Sequence, residues 1–300
     1  MSSFKWNTIS SIGAIVAVTL VLPNLAVAQS QGTANQADQP NRVVVEYVAP
    51  NSPDHQDLYE TLKTRGALEK IQKILSPLRL PEELTIKTAE CGKVNSWYGR
   101  ENFKPTITIC HELLKQILDS LPKETTPAEV TPDDAKIGQF LWLTLHEVGH
   151  AVFDIFGVPI FGHVEDAADN FATYVMLQFS ESRRLIRGAA WAWASYMVEH
   201  KRNPVVRVRL EGFAGNHGLP QERFYNLLCM AFGANSELFA DLTQDGYLPP
   251  TRAPNCQYEY KTMAEAFRKE IRPHIDLELA KGIVEANWLP DPVLKDVPQK

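Results

Sequence analysis

Two histidines four residues apart, His146 and His150, constrain the fold of this chain more than any other feature. They lie in the segment His146-Glu147-Val148-Gly149-His150, and side chains at positions i and i+4 of an α-helix share one face, about 6 Å apart. Two imidazoles placed in this way can bind one zinc ion, and Glu147 can serve as base toward the metal-bound water. The motif therefore requires a helix here and predicts a zinc site with a catalytic carboxylate.

The residues around the motif supply the helix that it needs. Thr131 is a good N-cap residue, Pro132 suits the first helical position, and Asp134 completes a capping-box-like spacing. Gly157 is a helix stop signal. On a helical wheel the two histidines and Glu147 lie away from the main apolar stripe. We therefore expect this helix to be covered by protein on most of its surface and to run beneath a cleft.

A zinc site needs a third protein ligand, and an acidic pair on the next predicted helix offers one. Glu165 and Asp169 are again four residues apart, so both carboxylates project from one face toward the same partner. We predict that Glu165 is the third ligand and that Asp169 accepts a hydrogen bond from the free nitrogen of a ligand histidine. Two alternatives stay open: His163 as the third ligand, or acidic residues that only stabilise a solvated helix N-terminus.

Composition limits the class of protein and its partners. The chain has 300 residues, of which 44% are apolar and 22% charged, as in soluble globular proteins. Thirty basic residues stand against 36 acidic ones without a basic block, for a net charge of -6. The composition therefore argues against nucleic acid and anionic lipid surfaces as partners.

The order of the predicted elements indicates the fold class. Strand-like runs gather before residue 111, and almost everything after it has helical character. The predicted strands are 43–47, 84–88, 95–98 and 106–110, and one helix is predicted over 58–75. Strands early and helices late indicate an α+β fold with a small N-terminal sheet and a mainly helical C-terminal half.

The N-terminus has the pattern of a secretory signal. Lys5 precedes an apolar stretch over 9–22, and Ala26-Val27-Ala28 matches a small-x-small cleavage site. We predict a signal peptide over 1–28, a flexible linker over 29–41 and one folded domain over 42–300, in an exported, periplasmic or secreted protein. The alternative is an uncleaved membrane anchor, although a spanning helix needs about 20 apolar residues and this stretch is shorter.

The four cysteines agree with export. Cys91, Cys110, Cys229 and Cys256 all follow the predicted cleavage site, and an even number in an exported protein favours disulfides. Pairing near neighbours joins Cys91 to Cys110 and Cys229 to Cys256. Spacing does not decide between this and the other two pairings, and free buried thiols are a further alternative.

These motifs carry a family resemblance. His146–His150 followed by Glu165-x-x-Ala-Asp169 resembles the gluzincin group of zinc peptidases. Over about residues 44–275 the chain resembles a bacterial metallopeptidase family defined as a domain of unknown function. The resemblance implies a zincin-like fold with an active-site helix, in which Glu165 is the third ligand and Asp169 orients a ligand histidine. It implies a peptide or protein substrate without identifying it.

A short segment in the strand region resembles a substrate-binding strand. Asn95-Ser96-Trp97-Tyr98 is similar to the Asn-Ala-x-aromatic edge strand with which thermolysin-like enzymes bind a substrate backbone, and Ser96 stands where that pattern usually has Ala. We therefore expect Asn95 and Trp97 to contribute to substrate binding, since an open edge can accept an extended peptide as a further strand. An ordinary strand beside a disulfide is the alternative.

A zinc hydrolase also benefits from a donor that stabilises the oxyanion. His217 and Tyr225 are the candidates, because they flank a helix that begins with Pro220. The alternative is that both residues only pack or bond structurally.

The sequence as a whole predicts an exported zinc-dependent peptidase without stable membrane insertion after signal cleavage. Two rival functions remain: a catalytically inactive zincin-scaffold binding protein of the cell envelope, and a zinc amidase that acts on cell-wall peptides. The sequence does not determine the oligomeric state.

Overall fold

The computed structural model describes residues 42–202 and 210–290. The strands are β1 (Val43–Tyr47), β2 (Leu84–Ala89), β3 (Ser96–Glu101) and β4 (Lys104–Cys110). The helices are α1 (Gln56–Thr64), α2 (Ala67–Ile74), α3 (His111–Asp119), α4 (Pro132–Phe156), α5 (Val164–Leu177), α6 (Ser182–Arg202), α7 (Pro220–Ala234), α8 (Asp241–Gln244), α9 (Ala253–Glu270) and α10 (Leu277–Glu285). The predicted signal peptide and linker lie outside the described residues.

The four strands form one mixed sheet in the order β1-β2-β4-β3. β2 runs parallel to β1 and to β4, whereas β3 is antiparallel to β4, with Ser96 opposite Ile109. Strands precede most of the helices, so the predicted α+β class is confirmed. Within the part of the chain that the structure describes, β3 has a neighbouring strand on one side only and is therefore an edge strand.

α4 has the boundaries that its flanking residues predict. The Thr131 hydroxyl accepts a hydrogen bond from the Asp134 backbone N–H at 3.0 Å, and the Asp134 carboxylate accepts one from the Thr131 N–H at 3.3 Å. This capping box satisfies two helix N-terminal donors. Gly157 ends the helix in the left-handed conformation, at a φ of 61°. α4 packs against α5, α6, β3 and β4, so most of its surface is covered.

Two glycines allow α4 and α6 to cross closely. A Cβ atom on Gly138 would lie 2.6 Å from the Ala189 nitrogen, and one on Gly188 would lie 2.0 Å from the Asp134 carbonyl oxygen. Neither distance is compatible with a side chain, since both neighbours are backbone atoms. The two helices therefore contact each other through their backbones at this crossing.

The single helix predicted over 58–75 is wrong. The structure has two helices, α1 and α2, with Gly66 between them at a φ of 58°. Glycine adopts this left-handed conformation without the steric cost that a Cβ atom imposes. After the break, α2 buries Leu68, Ile71 and Ile74.

Both disulfides join near neighbours in the chain. Cys91 pairs with Cys110 and Cys229 with Cys256, at Cα separations of 5.5 Å and 4.9 Å. The first disulfide ties the segment that enters β3 to the end of β4. The second joins α7 to α9. Among the described residues, no helix has the length and apolar character needed to cross a membrane.

His111, at the start of α3, predicts an acid-sensitive stability. Its side chain is fully buried and neither ring nitrogen has a hydrogen-bond partner. Burial lowers the pKa of His111, His55 lowers it further, and Glu112 and Glu90 oppose the shift. Because the folded state disfavours the charged form, the unfolded chain binds more protons as the pH falls below about 6.5, and the free energy of unfolding decreases.

The His111→Leu variant is therefore expected to lose less stability than the wild-type protein between pH 7.5 and pH 5.5. The difference should reach at most about 1.4 kcal/mol per pH unit, since one group titrates. Urea unfolding at the two pH values measures it, with His163→Leu at an exposed position as the control. Identical acid dependence in wild type and His111→Leu would contradict this expectation.

Candidate metal centre

α4 and the first turn of α5 bring three potential ligand atoms together. His146 Nε2 and His150 Nε2 lie 3.2 Å apart, and Glu165 Oε2 lies 3.1 Å from the first and 3.2 Å from the second. Two ligand atoms bound tetrahedrally to one zinc ion at about 2.0–2.1 Å are about 3.3 Å apart. The spacing and the nitrogen and carboxylate chemistry of this set therefore fit a zinc ion.

Small residues allow α5 to approach α4 closely enough for this contact. Ala168 and Ala172 on α5 are fully buried. A Cβ atom on Gly149 of α4 would lie 3.3 Å from the Ala168 Cα atom and 3.2 Å from Phe171 Cδ1. A larger side chain at 149 would push α5 outward, so this packing places the Glu165 carboxylate beside the imidazoles.

Asp169 holds the imidazole of His146 from the side opposite to Glu165. Its Oδ1 atom lies 2.7 Å from His146 Nδ1. Arg223 on α7 donates to both carboxylate oxygens, from Nε to Oδ2 at 2.8 Å and from Nη2 to Oδ1 at 2.7 Å. A proton on Nδ1 that is donated to Asp169 leaves the Nε2 lone pair free for a metal ion.

Aromatic rings pack against the guanidinium of the Arg223–Asp169 ion pair. The Arg223 guanidinium lies 5.0 Å from the Trp142 ring centre and 5.4 Å from that of Trp193. The Trp142 ring also stacks on His146 at 5.6 Å, and its Nε1 donates to Thr173 Oγ1 at 3.3 Å. Cation–π contacts of this kind stabilise a partly buried guanidinium. His146 is therefore held by Trp142 on one ring face and by Asp169 at Nδ1.

The charges of the site stabilise one another. Burial lowers the pKa of His146, but hydrogen bonds to Asp169 and Glu165 outweigh it and raise that pKa to about 9. The hydrogen bond with His146 lowers the pKa of Glu165 to about 2. Burial raises the pKa of Asp169, and the hydrogen bonds from His146 and Arg223 reverse this and bring it below its ordinary value. Glu165 and Asp169 are thus anionic at neutral pH and attract a cation.

Glu147 lies between the imidazole pair and the edge strand. Its side chain is buried, and one carboxylate oxygen lies within 4.8 Å of ligand nitrogens of His146 and His150. Ser96, the first residue of β3, donates a hydrogen bond from Oγ to Glu147 Oε1 at 2.7 Å. The carboxylate expected to act as base therefore lies next to both the potential ligands and the strand expected to bind substrate.

His217 lies on the open side of the ligand set. Its Nε2 atom is 2.9 Å from Glu165 Oε2, and its ring stacks on His146 at 5.9 Å between ring centres. The side chain is 52% exposed. Burial lowers the pKa of His217, which favours a neutral imidazole that can donate one hydrogen bond.

Residues 47–270 match the model of a protein family described as "Putative metallopeptidase". The chain belongs to this metallopeptidase family. Membership suggests peptidase activity and a metal ion, in agreement with the close approach of His146, His150 and Glu165. No significant match was found among curated proteins or among solved structures.

The other residues predicted for the site are not members of the ligand set among the described residues. Asn95 is exposed just before β3, and its carbonyl accepts a hydrogen bond from the Cys110 N–H at 3.1 Å. Trp97 is half-buried on β3 with Lys93 Nζ 4.8 Å from its ring centre. Tyr225 and the exposed His163 share with His217 the wall of a cavity of about 590 Å³. His163 does not belong to the ligand set among the described residues.

Sequence reasoning gave no role to Arg223 or to the Ser96 side chain. Arg223 is 54 residues from Asp169, and Ser96 is 51 residues from Glu147. Neither separation belongs to a helical or strand period, so no spacing pattern relates these pairs. The family resemblance includes both positions, and that is the one signal that could have directed attention to them.

Proposed function

We propose that this protein is an exported zinc-dependent peptidase. The observation that carries the proposal is the set of three atoms from His146, His150 and Glu165, at 3.1–3.2 Å from one another, with the Glu147 carboxylate beside them. These three residues would hold the zinc ion. The ion, when bound, polarises a water molecule and lowers its pKa toward neutrality.

The remaining chemistry belongs to side chains of the protein. Glu147 takes a proton from the attacking water and later delivers it to the leaving amine nitrogen. Asp169 accepts a hydrogen bond from Nδ1 of His146 and so keeps the proton on that nitrogen. The other nitrogen, Nε2, which lies beside Glu165, then has a free lone pair. His217 donates from Nε2 toward the oxygen of the scissile carbonyl as negative charge develops on it.

The edge strand provides a place for the substrate backbone. β3 pairs with β4 through one edge, and an extended peptide can add to its other edge by main-chain hydrogen bonds. The exposed Asn95 side chain just before this strand would bond the peptide main chain, and Trp97 offers apolar surface two residues further on. A peptide bound in this way runs past Ser96 and the Glu147 carboxylate.

The two disulfides support export, because such bonds persist in oxidising compartments. With the signal pattern over 1–28, they favour a periplasmic or secreted location. We propose that the mature enzyme begins after this segment.

Metal analysis combined with cleavage of a peptide library tests the function. The purified mature protein should contain one zinc ion per chain, and a chelator should abolish cleavage that added zinc restores. Protein full of zinc but inert toward the library would instead support the binding-protein hypothesis. Digestion of purified peptidoglycan without cleavage of unfolded casein would support the amidase hypothesis.

Replacing His217 with Ala is expected to lower kcat by about 10²–10³-fold, the effect of removing an oxyanion donor. Zinc content should stay unchanged, because His146, His150 and Glu165 remain. Steady-state kinetics with metal analysis measure both quantities. His163→Ala, in the wall of the same cavity, is the control and should keep the wild-type kcat. Loss of zinc from His217→Ala would show that His217 is a ligand instead.

Replacing Arg223 with Gln is expected to weaken zinc binding by up to about 10-fold, the lower end of the effect of removing a partner that bonds a ligand directly, because Arg223 acts through Asp169. Asp169 would lose the two hydrogen bonds from the guanidinium and keep the one with His146. The zinc affinity of Arg223→Lys should lie between those of the wild-type and Arg223→Gln proteins, since an ammonium group does not bind two oxygens in the guanidinium geometry. Competition with a chromophoric chelator measures the Kd, and equal values for all three proteins would contradict the role of Arg223.

A further inference from the structure

We propose that Ser96 is a positioning residue that holds the carboxylate of Glu147 in the orientation required of the base. The inference rests on the proposed function, because it assumes that Glu147 carries the proton. It is based on the hydrogen bond from Ser96 Oγ to Glu147 Oε1 at 2.7 Å, which joins the edge strand to the centre of α4.

The start of β3 is anchored well enough to position another side chain. The Asn95 carbonyl accepts the Cys110 N–H at 3.1 Å, and the disulfide joins Cys110 to Cys91. The Glu112 carboxylate accepts the Cys91 N–H at 3.1 Å. Ser96 follows this segment directly, so the backbone that carries its hydroxyl is held in place by the sheet and the disulfide.

Glu147 depends on this contact. The residue is buried, with 5% of its surface exposed. Within 42–202 and 210–290, Ser96 is the sole hydrogen-bond partner of its carboxylate. The terminal torsion of a glutamate side chain is broad, so packing alone does not fix the plane of the carboxylate. A hydrogen bond to one oxygen fixes that plane and leaves the other oxygen for the water.

The serine hydroxyl suits both protonation states of the base. It donates to Oε1 while the carboxylate is ionised, and it can still donate to Oε1 after Oε2 has taken a proton, because that oxygen of the neutral acid remains an acceptor. The contact therefore persists through both proton transfers. Alanine, which the thermolysin-like pattern usually has at this position, has no hydroxyl to make it.

The same contact couples the base to the substrate. Ser96 belongs to the strand to which an extended peptide would add, so the strand that aligns the scissile bond also aligns the carboxylate. A small displacement of β3 would then move the scissile bond and the Glu147 carboxylate together, and these two groups would keep their relative geometry.

The kinetic test compares three serine variants of the zinc-loaded protein. Ser96→Ala should lower kcat by about tenfold, because one positioning contact of a general base is lost, with KM changed less than about twofold. Ser96→Thr keeps the hydroxyl and should recover most of the wild-type kcat. Ser120→Ala is the matched control, since it removes one serine hydrogen bond of 2.8 Å, to the Ile117 carbonyl at the end of α3.

A crystallographic comparison tests the same inference without turnover. The Glu147 carboxylate should occupy one orientation in the wild-type and Ser96→Thr proteins and more than one in Ser96→Ala. One unchanged orientation in Ser96→Ala, or a wild-type kcat in that variant, would overturn the role of Ser96. A wild-type protein without turnover would count against the proposed function, and the orientation of Glu147 in the variants would still decide the role of Ser96.

Discussion

Replacing Glu147 with Gln is expected to lower kcat by about 10²–10⁴-fold, the range that a positioned general base contributes. The glutamine amide cannot take a proton from water at neutral pH, so attack and amine departure both lose their proton carrier. Its carbonyl oxygen can still accept the hydrogen bond from Ser96, so the packing of α4 against β3 should persist. Zinc content should equal that of the wild-type protein, because His146, His150 and Glu165 are retained.

The measurement is cleavage of one library-selected peptide, with metal analysis on the same preparations. Glu83→Gln makes the same chemical change at an exposed residue and should keep the wild-type kcat. Wild-type turnover by Glu147→Gln with a full zinc complement would refute the assignment of the base. Loss of zinc would instead mean that Glu147 contributes to metal binding.

The second large effect, a loss of zinc affinity, is expected when the proposed third ligand, Glu165, is replaced. Replacing Glu165 with Gln should weaken zinc binding by more than about 100-fold, the upper limit for loss of a partner outside the ligand set. A neutral amide oxygen is a poorer zinc ligand than a carboxylate. The variant also loses the anion that lies 3.1 Å and 3.2 Å from the two imidazoles and 2.9 Å from His217.

Asp166 offers a matched control for this change. It is the next residue of α5, it is also acidic, and its carboxylate is not part of the ligand set among the described residues. Asp166→Asn should therefore bind zinc as the wild-type protein does. Zinc affinities from competition with a chromophoric chelator distinguish the variants, and a Glu165→Gln protein with wild-type affinity would remove Glu165 from the site.

The two variants together separate binding from chemistry. Glu147→Gln should contain zinc without turnover, whereas Glu165→Gln should lose both zinc and turnover. A peptidase requires both results. An inactive binding protein of the same fold would show the loss of zinc in Glu165→Gln and no turnover in any variant.

The spacing of residues along the sequence was sufficient to predict the helical part of the candidate metal centre. Thr131 and Gly157 mark the ends of α4 because capping and the left-handed C-terminal conformation depend on residues within one turn. The pairs His146 with His150 and Glu165 with Asp169 share helix faces because the helical repeat places residues four apart on one side. The α+β class followed in the same way, from the order of strand-like and helical segments.

The spacing of residues along the sequence did not predict contacts between segments that are distant in the chain. The helical spacing over 58–75 did not reveal the break at Gly66, where the backbone is left-handed. Arg223 reaches Asp169, and Ser96 reaches Glu147, because α7 and β3 happen to pack beside α4 and α5 in the folded chain. Periodicity records only local geometry, whereas these partners are selected by the packing of separate elements.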